Sequence, residues 1–406
     1  MTLSMSVPPR TRPIVVALAL ASACRDEPAD ADEGTAPEST TADATGDDDD
    51  ETGDPDASTG IADTTAADAS SDGTDDTTTG IIEVDCTDAC ADTQTDVGIR
   101  ICYSCRCLAA FDGWLPSPDE LQCGDTPPLV TYLADVSGAE AELVPIDDDA
   151  ETCANPSLLT GSCRQGSKLG QLEHGDVMFK WICRDPYDDG TGIVYTDMGL
   201  IGHNTRTGAT CYWDDIDNVT HDDDMPPLDL MTASDEELAR FLAVFYHTEG
   251  ETCVGCHDHD PFIYTPYLQS TGWVTDLHPK GPYAVVGLDG ARRPTGNKHL
   301  VSPEVTACTQ CHRIGSEASC TDFSRDSMGM DKGSWSYEPA IVDAAEPNSP
   351  FWRLAFWMPG GDLDVPDFAT WLTLFDGPRA HLIECCANPG VNAGDCVWAD
   401  VPHEPG

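Results

Sequence analysis

Basic residues are scarce in this chain. Twenty Lys and Arg stand against 73 Asp and Glu, a formal net charge of −53 over 406 residues. A surface so acidic repels the phosphates of nucleic acid and of anionic lipid, so neither is gripped electrostatically. Long apolar runs are also missing. The most apolar stretch, residues 14–20, is too short to span a bilayer as a stable helix. Several catalytic signatures are absent as well: no G-x-S-x-G, no H-E-x-x-H, no Walker loop and no Rossmann glycine pattern. These absences remove the sequence case for nucleophile-elbow hydrolases, zinc peptidases and nucleotide-binding enzymes.

What is present begins with an export signal. Arg10 and Arg12 precede the apolar run, and Ala21, Ser22, Ala23 and Cys24 follow it. This is the three-part layout of a signal peptide. The small residues before Cys24 resemble the lipobox of bacterial lipoproteins, with Ala21 where that pattern prefers Leu. The resemblance implies cleavage after residue 23, a lipid on Cys24 and anchorage by acyl chains in the cell envelope, periplasmic or at the outer-membrane surface. Residues 24–80 then hold Asp, Thr, Ala, Gly, Ser and Glu, with Ile61 the only large apolar residue and Arg25 the only basic one. Such a segment cannot seed a core and is expected to be a disordered acidic tether, extended by self-repulsion.

Cysteine is abundant, with nineteen in all. That usage belongs to an oxidising compartment. Six of them, Cys86, Cys90, Cys102, Cys105, Cys107 and Cys123, crowd residues 81–125, which reads as a disulfide-stapled module. Six cysteines allow fifteen pairings, and their spacing selects none. Residues 126–230 read as a β-rich, disulfide-bonded domain. Strands are expected over 176–183, 192–195 and 209–213, and Cys183 with Cys211 is expected to join neighbouring strands. The acidic segment 185–192 lacks calcium-loop spacing and reads as a surface turn. His203 and His221 read as structural or surface histidines.

Residues 231–406 carry the chemistry. Ser234 and Glu237 form a capping box, and Leu238, Phe241, Leu242 and Phe245 follow as one apolar stripe. Then come two pentapeptides of one spelling, CVGCH (Cys253, Cys256, His257) and CTQCH (Cys308, Cys311, His312). At this composition about 0.02 such strings are expected by chance. Cys-x-x-Cys-His in an exported protein is the attachment string of a c-type haem: two thiols add to the vinyl groups and the histidine ligates iron. Disulfides, or zinc ligands that happen to precede a histidine, are the alternatives. Setting aside the four pentapeptide cysteines and Cys24 leaves fourteen, enough for seven disulfides. Among them, Cys385, Cys386 and Cys396 with Cys320 are expected to form two.

Over residues 234–377 the chain resembles the c-type cytochromes, and more loosely the lipidated bacterial proteins with two haem motifs. The resemblance implies two c-type haems in a mainly helical region. The 238–245 stripe and a closing helix over 367–375 would bracket them, the latter stopped by Gly377 and Pro378. It makes Met358, in a Trp-Met-Pro string 46 residues beyond His312, the candidate distal ligand of the second haem, ahead of Met328 and Met330. For the first haem, His278 and His299 rank ahead of His259, and an open iron is the other choice. Lys280, Arg292, Arg293, Lys298 and Arg313 lie between or beside the motifs. Arg292 and Arg293 are candidate contacts for haem propionates, since guanidinium suits carboxylate. Tyr264, Tyr267, Trp273 and Tyr283 could wall a macrocycle.

The expected architecture is therefore α+β, disulfide-rich and loop-rich, with a β-rich middle and a mainly α-helical, cytochrome c-like region at the C-terminus. The expected function is electron transfer between redox partner proteins. Two alternatives stand beside it. One is a di-haem enzyme of peroxidase or oxidase type with an open iron, for which the 55-residue interval between motifs is short. The other is a non-haem, disulfide-rich surface binding protein.

Overall fold

A computed structural model describes residues 84–123, 128–131, 153, 157, 163–215, 220–221, 225–246, 253–263, 265–269, 281–309, 313–328 and 368–404. Helix α1 is Asp96–Ala110. Strands β1 Lys168–His174, β2 Val177–Arg184, β3 Tyr187–Asp188, β4 Ile193–Tyr195, β5 Asp197–Asn204, β6 Ala209–Asp215 and β7 Thr220–His221 follow. Next come α2 Asp235–Val244, β8 Phe245–Tyr246, α3 Cys253–Cys256 and α4 Pro266–Gln269. The order closes with β9 Ala284–Val286, β10 Arg292–Pro294, β11 Lys298–Leu300, α5 Thr306–Thr309, α6 Ser324–Ser327, α7 Phe368–Cys385 and β12 Trp398–Asp400.

The protein is thus a mixed α/β, disulfide-rich fold around one mixed sheet. Its strand order is β1-β2-β5-β6-β9-β10, with β8 paired to β6. The first four strands form an antiparallel meander, and β9 joins β6 in parallel. A period of two sorts the side chains. On one face lie Val177, Phe179, Trp181, Cys183, Leu200, Cys211 and Trp213, covered by Tyr103, Cys107 and Phe111 of the α1 segment and by Phe241 and Phe245. Gly202 permits this approach, because a Cβ there would stand 2.6 Å from the Phe111 ring. On the opposite face Tyr212 packs with Tyr283 and Val285, and Cys253 and Val254 lean on that cluster. The alternation of Tyr212 and Trp213 therefore decides that the first pentapeptide rests on the face away from α1.

Seven disulfides pair the fourteen cysteines that lie outside the pentapeptides and Cys24. Cys86–Cys105 and Cys90–Cys102 bind the preceding loop onto α1, whose start is capped by Thr95 accepting from the Gly98 N–H. Cys107–Cys211 and Cys123–Cys183 tie this segment to the sheet. Cys153–Cys163, Cys320–Cys386 and Cys385–Cys396 complete the set. The expected Cys183–Cys211 bond is corrected: each pairs with the α1 segment. The cysteine-rich module is built on a fifteen-residue helix, and two of its cysteines staple it to the sheet instead of to itself. Sheet and disulfides run across the boundaries expected near 125 and 230, and the described residues belong to one unit.

Two expectations about helices also change. The stripe of α2 is taken up by the sheet core, where Phe241 and Phe245 join Trp213 and Met225, and is not left for a macrocycle edge. The closing helix does not stop at Gly377 and Pro378 but runs to Cys385. Proline removes one N–H from a helix interior. Leu374, four residues back, is 54% exposed, so the missing bond falls on the solvent side of the helix. Beyond the proline, buried Leu382 and the disulfides of Cys385 and Cys386 hold the helix on course. Among the described residues no helix is long and apolar enough to cross a membrane.

Candidate functional site

The first pentapeptide forms the single turn α3. The His257 N–H donates to the Cys253 carbonyl at 2.8 Å, so thiol and imidazole share one helical turn. The Asn297 amide holds the Val254 carbonyl at 2.9 Å, and the Tyr283 hydroxyl donates to the His257 carbonyl at 2.8 Å. Tyr283 also bonds the Tyr212 hydroxyl. Burial pushes both phenols well above their ordinary pKa, so they stay protonated donors.

The His257 ring lies 5.5 Å from that of Tyr212. Its Nδ1 is buried and makes no hydrogen bond among the described residues. Burial pulls its pKa down to about 3, helped by the positive charge of His259 and opposed by the Pro261 carbonyl. The imidazole is therefore neutral at neutral pH, the form that ligates a metal.

Directly after His257, three polar side chains are buried: Asp258, His259 and Asp260. His259 Nδ1 bonds Asp258 Oδ1 at 2.7 Å. Burial works against the imidazolium, yet the Asp258 hydrogen bond and charge, with Asp260, raise its pKa. Asp258 Oδ2 accepts from the Glu317 N–H at 2.6 Å, the Ser319 N–H at 3.4 Å and the Ser319 hydroxyl at 3.2 Å. Asp260 pairs with the Arg313 guanidinium, which also reaches the carbonyls of His259 and Gly281. Arg313 follows His312 immediately, so the chain leaving the second pentapeptide is stitched to the chain leaving the first. Burial lowers the Arg313 pKa while Asp260 opposes the fall.

In the second pentapeptide, Cys308 lies on α5, which packs under α7. Burial pushes its thiol up to about 11. Cys253 and Cys308 both keep thiols, whereas Cys256 is disulfide-bonded. The retained thiols and the neutral His257 suit a covalent haem. The oxidised Cys256 does not, and would have to be reduced first.

The other candidates are dispersed. Cys24, His278, Lys280, Cys311, His312, Met330, Met358, Tyr264 and Trp273 lie outside the described residues. Arg292 and Arg293 are exposed on β10, the first donating to the Thr207 carbonyl and the second paired with Asp289 at 3.2 Å. Arg313 is spent on Asp260 and Lys298 donates to the Gly390 carbonyl, so both are engaged within the fold. His299 sits on β11, opposite Ala399 and bridged to Gly315. Met328 is buried, and Tyr267 packs with Leu169 and Ile182. His203 is buried against Thr210. In the 185–192 turn, Asp188 and Asp189 accept from the N–H groups of Gly190, Thr191 and Gly192, the bonding of a surface turn.

The Asp258, Asp260 and Arg313 network was the part that sequence reasoning missed. Its signal was the string Asp-His-Asp after one pentapeptide and an arginine after the other, in a chain poor in cations. No family model, curated protein or solved structure matches this chain.

Proposed function

We propose that this chain is a lipid-anchored, extracytoplasmic di-haem c-type cytochrome that carries electrons between redox partners. The observation that carries the reading is the sorting of cysteines. Seven disulfides consume every cysteine outside the pentapeptides and Cys24, and none of them draws on a pentapeptide cysteine. The fold's seven staples are thus complete without the pentapeptide cysteines, which leaves those cysteines to a separate role.

In this reading Cys253, Cys256, Cys308 and Cys311 attach two haems, and His257 and His312 ligate their irons. Bound haem supplies one-electron chemistry. The protein's share is positional. Tyr283 and Asn297 fix the α3 turn, and burial keeps His257 neutral. The Asp260–Arg313 pair fixes the two attachment segments relative to each other. Met358, His278 and His299 remain the candidate distal ligands. Lipid on Cys24 would hold the protein at the envelope, with residues 24–80 as spacer.

Two observations favour a second reading. Cys256 is disulfide-bonded, and the folded core is a sheet, not a helical bundle. Both suit a non-haem, disulfide-rich surface protein. Co-expression with cytochrome maturation machinery separates the two: covalent haem surviving denaturation supports the cytochrome, and its absence leaves the surface protein.

A further inference from the structure

The C-terminal end of α7 carries His381 and Cys385 one turn apart, and Cys385 is joined to Cys396. His381 Nε2 stands 3.5 Å from Cys385 Sγ and 3.7 Å from Glu304 Oε2. The donor atoms of His381, Cys385 and Cys396 all lie within 4.8 Å of one another. A tetrahedral zinc with sulfur at about 2.3 Å and nitrogen or oxygen at about 2.0–2.2 Å places neighbouring donors roughly 3.3–3.8 Å apart. The His381–Cys385 and His381–Glu304 separations already have that length. The two sulfurs are closer because they are bonded, and Glu304 approaches this three-residue cluster from the His381 side.

The surroundings complete the case. His381 Nδ1 faces Glu384 Oε2 at 4.0 Å, the side from which a carboxylate orients a zinc-bound imidazole. Both cysteines are buried and Glu304 is half-exposed, which gives an entry path. The frame does not depend on the Cys385–Cys396 bond. Cys386 is held to Cys320, and β12 pairs with β11. The Ser302 hydroxyl accepts from the Val397 N–H at 2.8 Å and donates to the Asp395 carbonyl at 3.0 Å, pinning the Cys396 loop beside Glu304.

We infer that Cys385–Cys396 is one state of a redox-gated zinc site, and that in its reduced state Cys385, Cys396, His381 and Glu304 bind one zinc ion. A dithiol supplies the two electrons and two protons that open the disulfide and leaves as its own disulfide. Zinc then displaces the two thiol protons. Glu304 belongs to the turn Pro303–Val305 that leads directly into α5 and Cys308.

The test uses the full chain, treated with limiting dithiothreitol until peptide mapping shows Cys385–Cys396 open and Cys320–Cys386 and Cys107–Cys211 closed, desalted without oxygen, given zinc sulfate and desalted again. Metal analysis should return zinc that the oxidised chain does not take up, and zinc should protect Cys385 and Cys396 from alkylation. His381→Ala should abolish that protection. Glu304→Gln, at a half-exposed position, should weaken it. Zinc uptake and protection unchanged in both variants would overturn the inference, because other thiols would then be the ligands. Failure of alkylation to reach Cys385 and Cys396 in reduced, zinc-free protein would overturn it as well.

Discussion

The first pentapeptide lies on the Tyr212 face of the sheet, whereas the second belongs to a layer of short helices under α7. Around CVGCH, Asn297 and Tyr283 bond the carbonyls of Val254 and His257, and Cys253 and Val254 pack on the Tyr212 cluster. Of CTQCH, Cys308 and Thr309 lie on α5, which packs against α7. The first attachment turn thus rests on the sheet's Tyr212 face, and the helix that leads into the second rests on α7. Arg313 joins them, since it follows the second pentapeptide and pairs with Asp260 beyond the first. Two strings of one pattern need not have the same surroundings, and their responses to mutation should differ.

The largest effect is expected at the sheet. Cys107–Cys211 closes a loop of 104 residues. Replacing both with serine should cost about 4–5 kcal/mol by the chain-entropy estimate, read from urea unfolding. That loss should loosen the first site more than the second, because β6 carries both Cys211 and Tyr212. Asp260→Asn comes next. It leaves the buried Arg313 without its counter-charge and should cost about 3–5 kcal/mol. Hydrogen exchange should then rise around both pentapeptides together. Exchange confined to one of them would contradict the link.

Gly315→Ala is a smaller test of the same link. A Cβ there would lie 2.5 Å from the Asp258 carboxylate, which is wedged between Glu317 and Ser319. The expected cost is about 1–3 kcal/mol. Cys308 gives a chemical contrast. Its thiol titrates at about 11, above the ordinary value of 9.0, because it is buried. The folded chain therefore holds that proton more tightly than the unfolded one. Stability from this group is intact below about pH 9 and is lost as pH rises towards 11. In haem-free protein at pH 8, iodoacetamide should modify Cys308 more slowly than it does after denaturation; equal rates would refute the burial. Arg292→Gln with Arg293→Gln is the smallest expected change. Both side chains are exposed and bonded locally, so haem retention and midpoint potential should stay as in the parent. A fall in either would restore them as propionate contacts.

Much of the sheet was readable from the chain. The strands β2, β4 and β6 announce themselves by β-branched and aromatic residues, and the Ser234–Glu237 box marks the start of α2. Strand β5 was hidden because Gly199 and Gly202 break its pattern, and Gly202 is glycine for the sake of Phe111 on α1's far end. Helix α1 was hidden by its cysteines, which read as staples and obscured a helical face. Pro378 misled because a local rule lost to tertiary anchoring at Cys385 and Cys386. At the site, the pentapeptides were legible as strings, but their surroundings were not. Nothing local tells that Asp260 meets Arg313, since fifty-three residues separate them and only the fold closes the gap.

The central claim is that the thiols of both pentapeptides attach haem. It is tested most directly by a pyridine haemochrome assay on denatured chain purified from cells with cytochrome maturation machinery. The account predicts about two covalent haems per chain, falling to about one when Cys253 and Cys256 are both replaced by alanine. No covalent haem in the parent chain would contradict it.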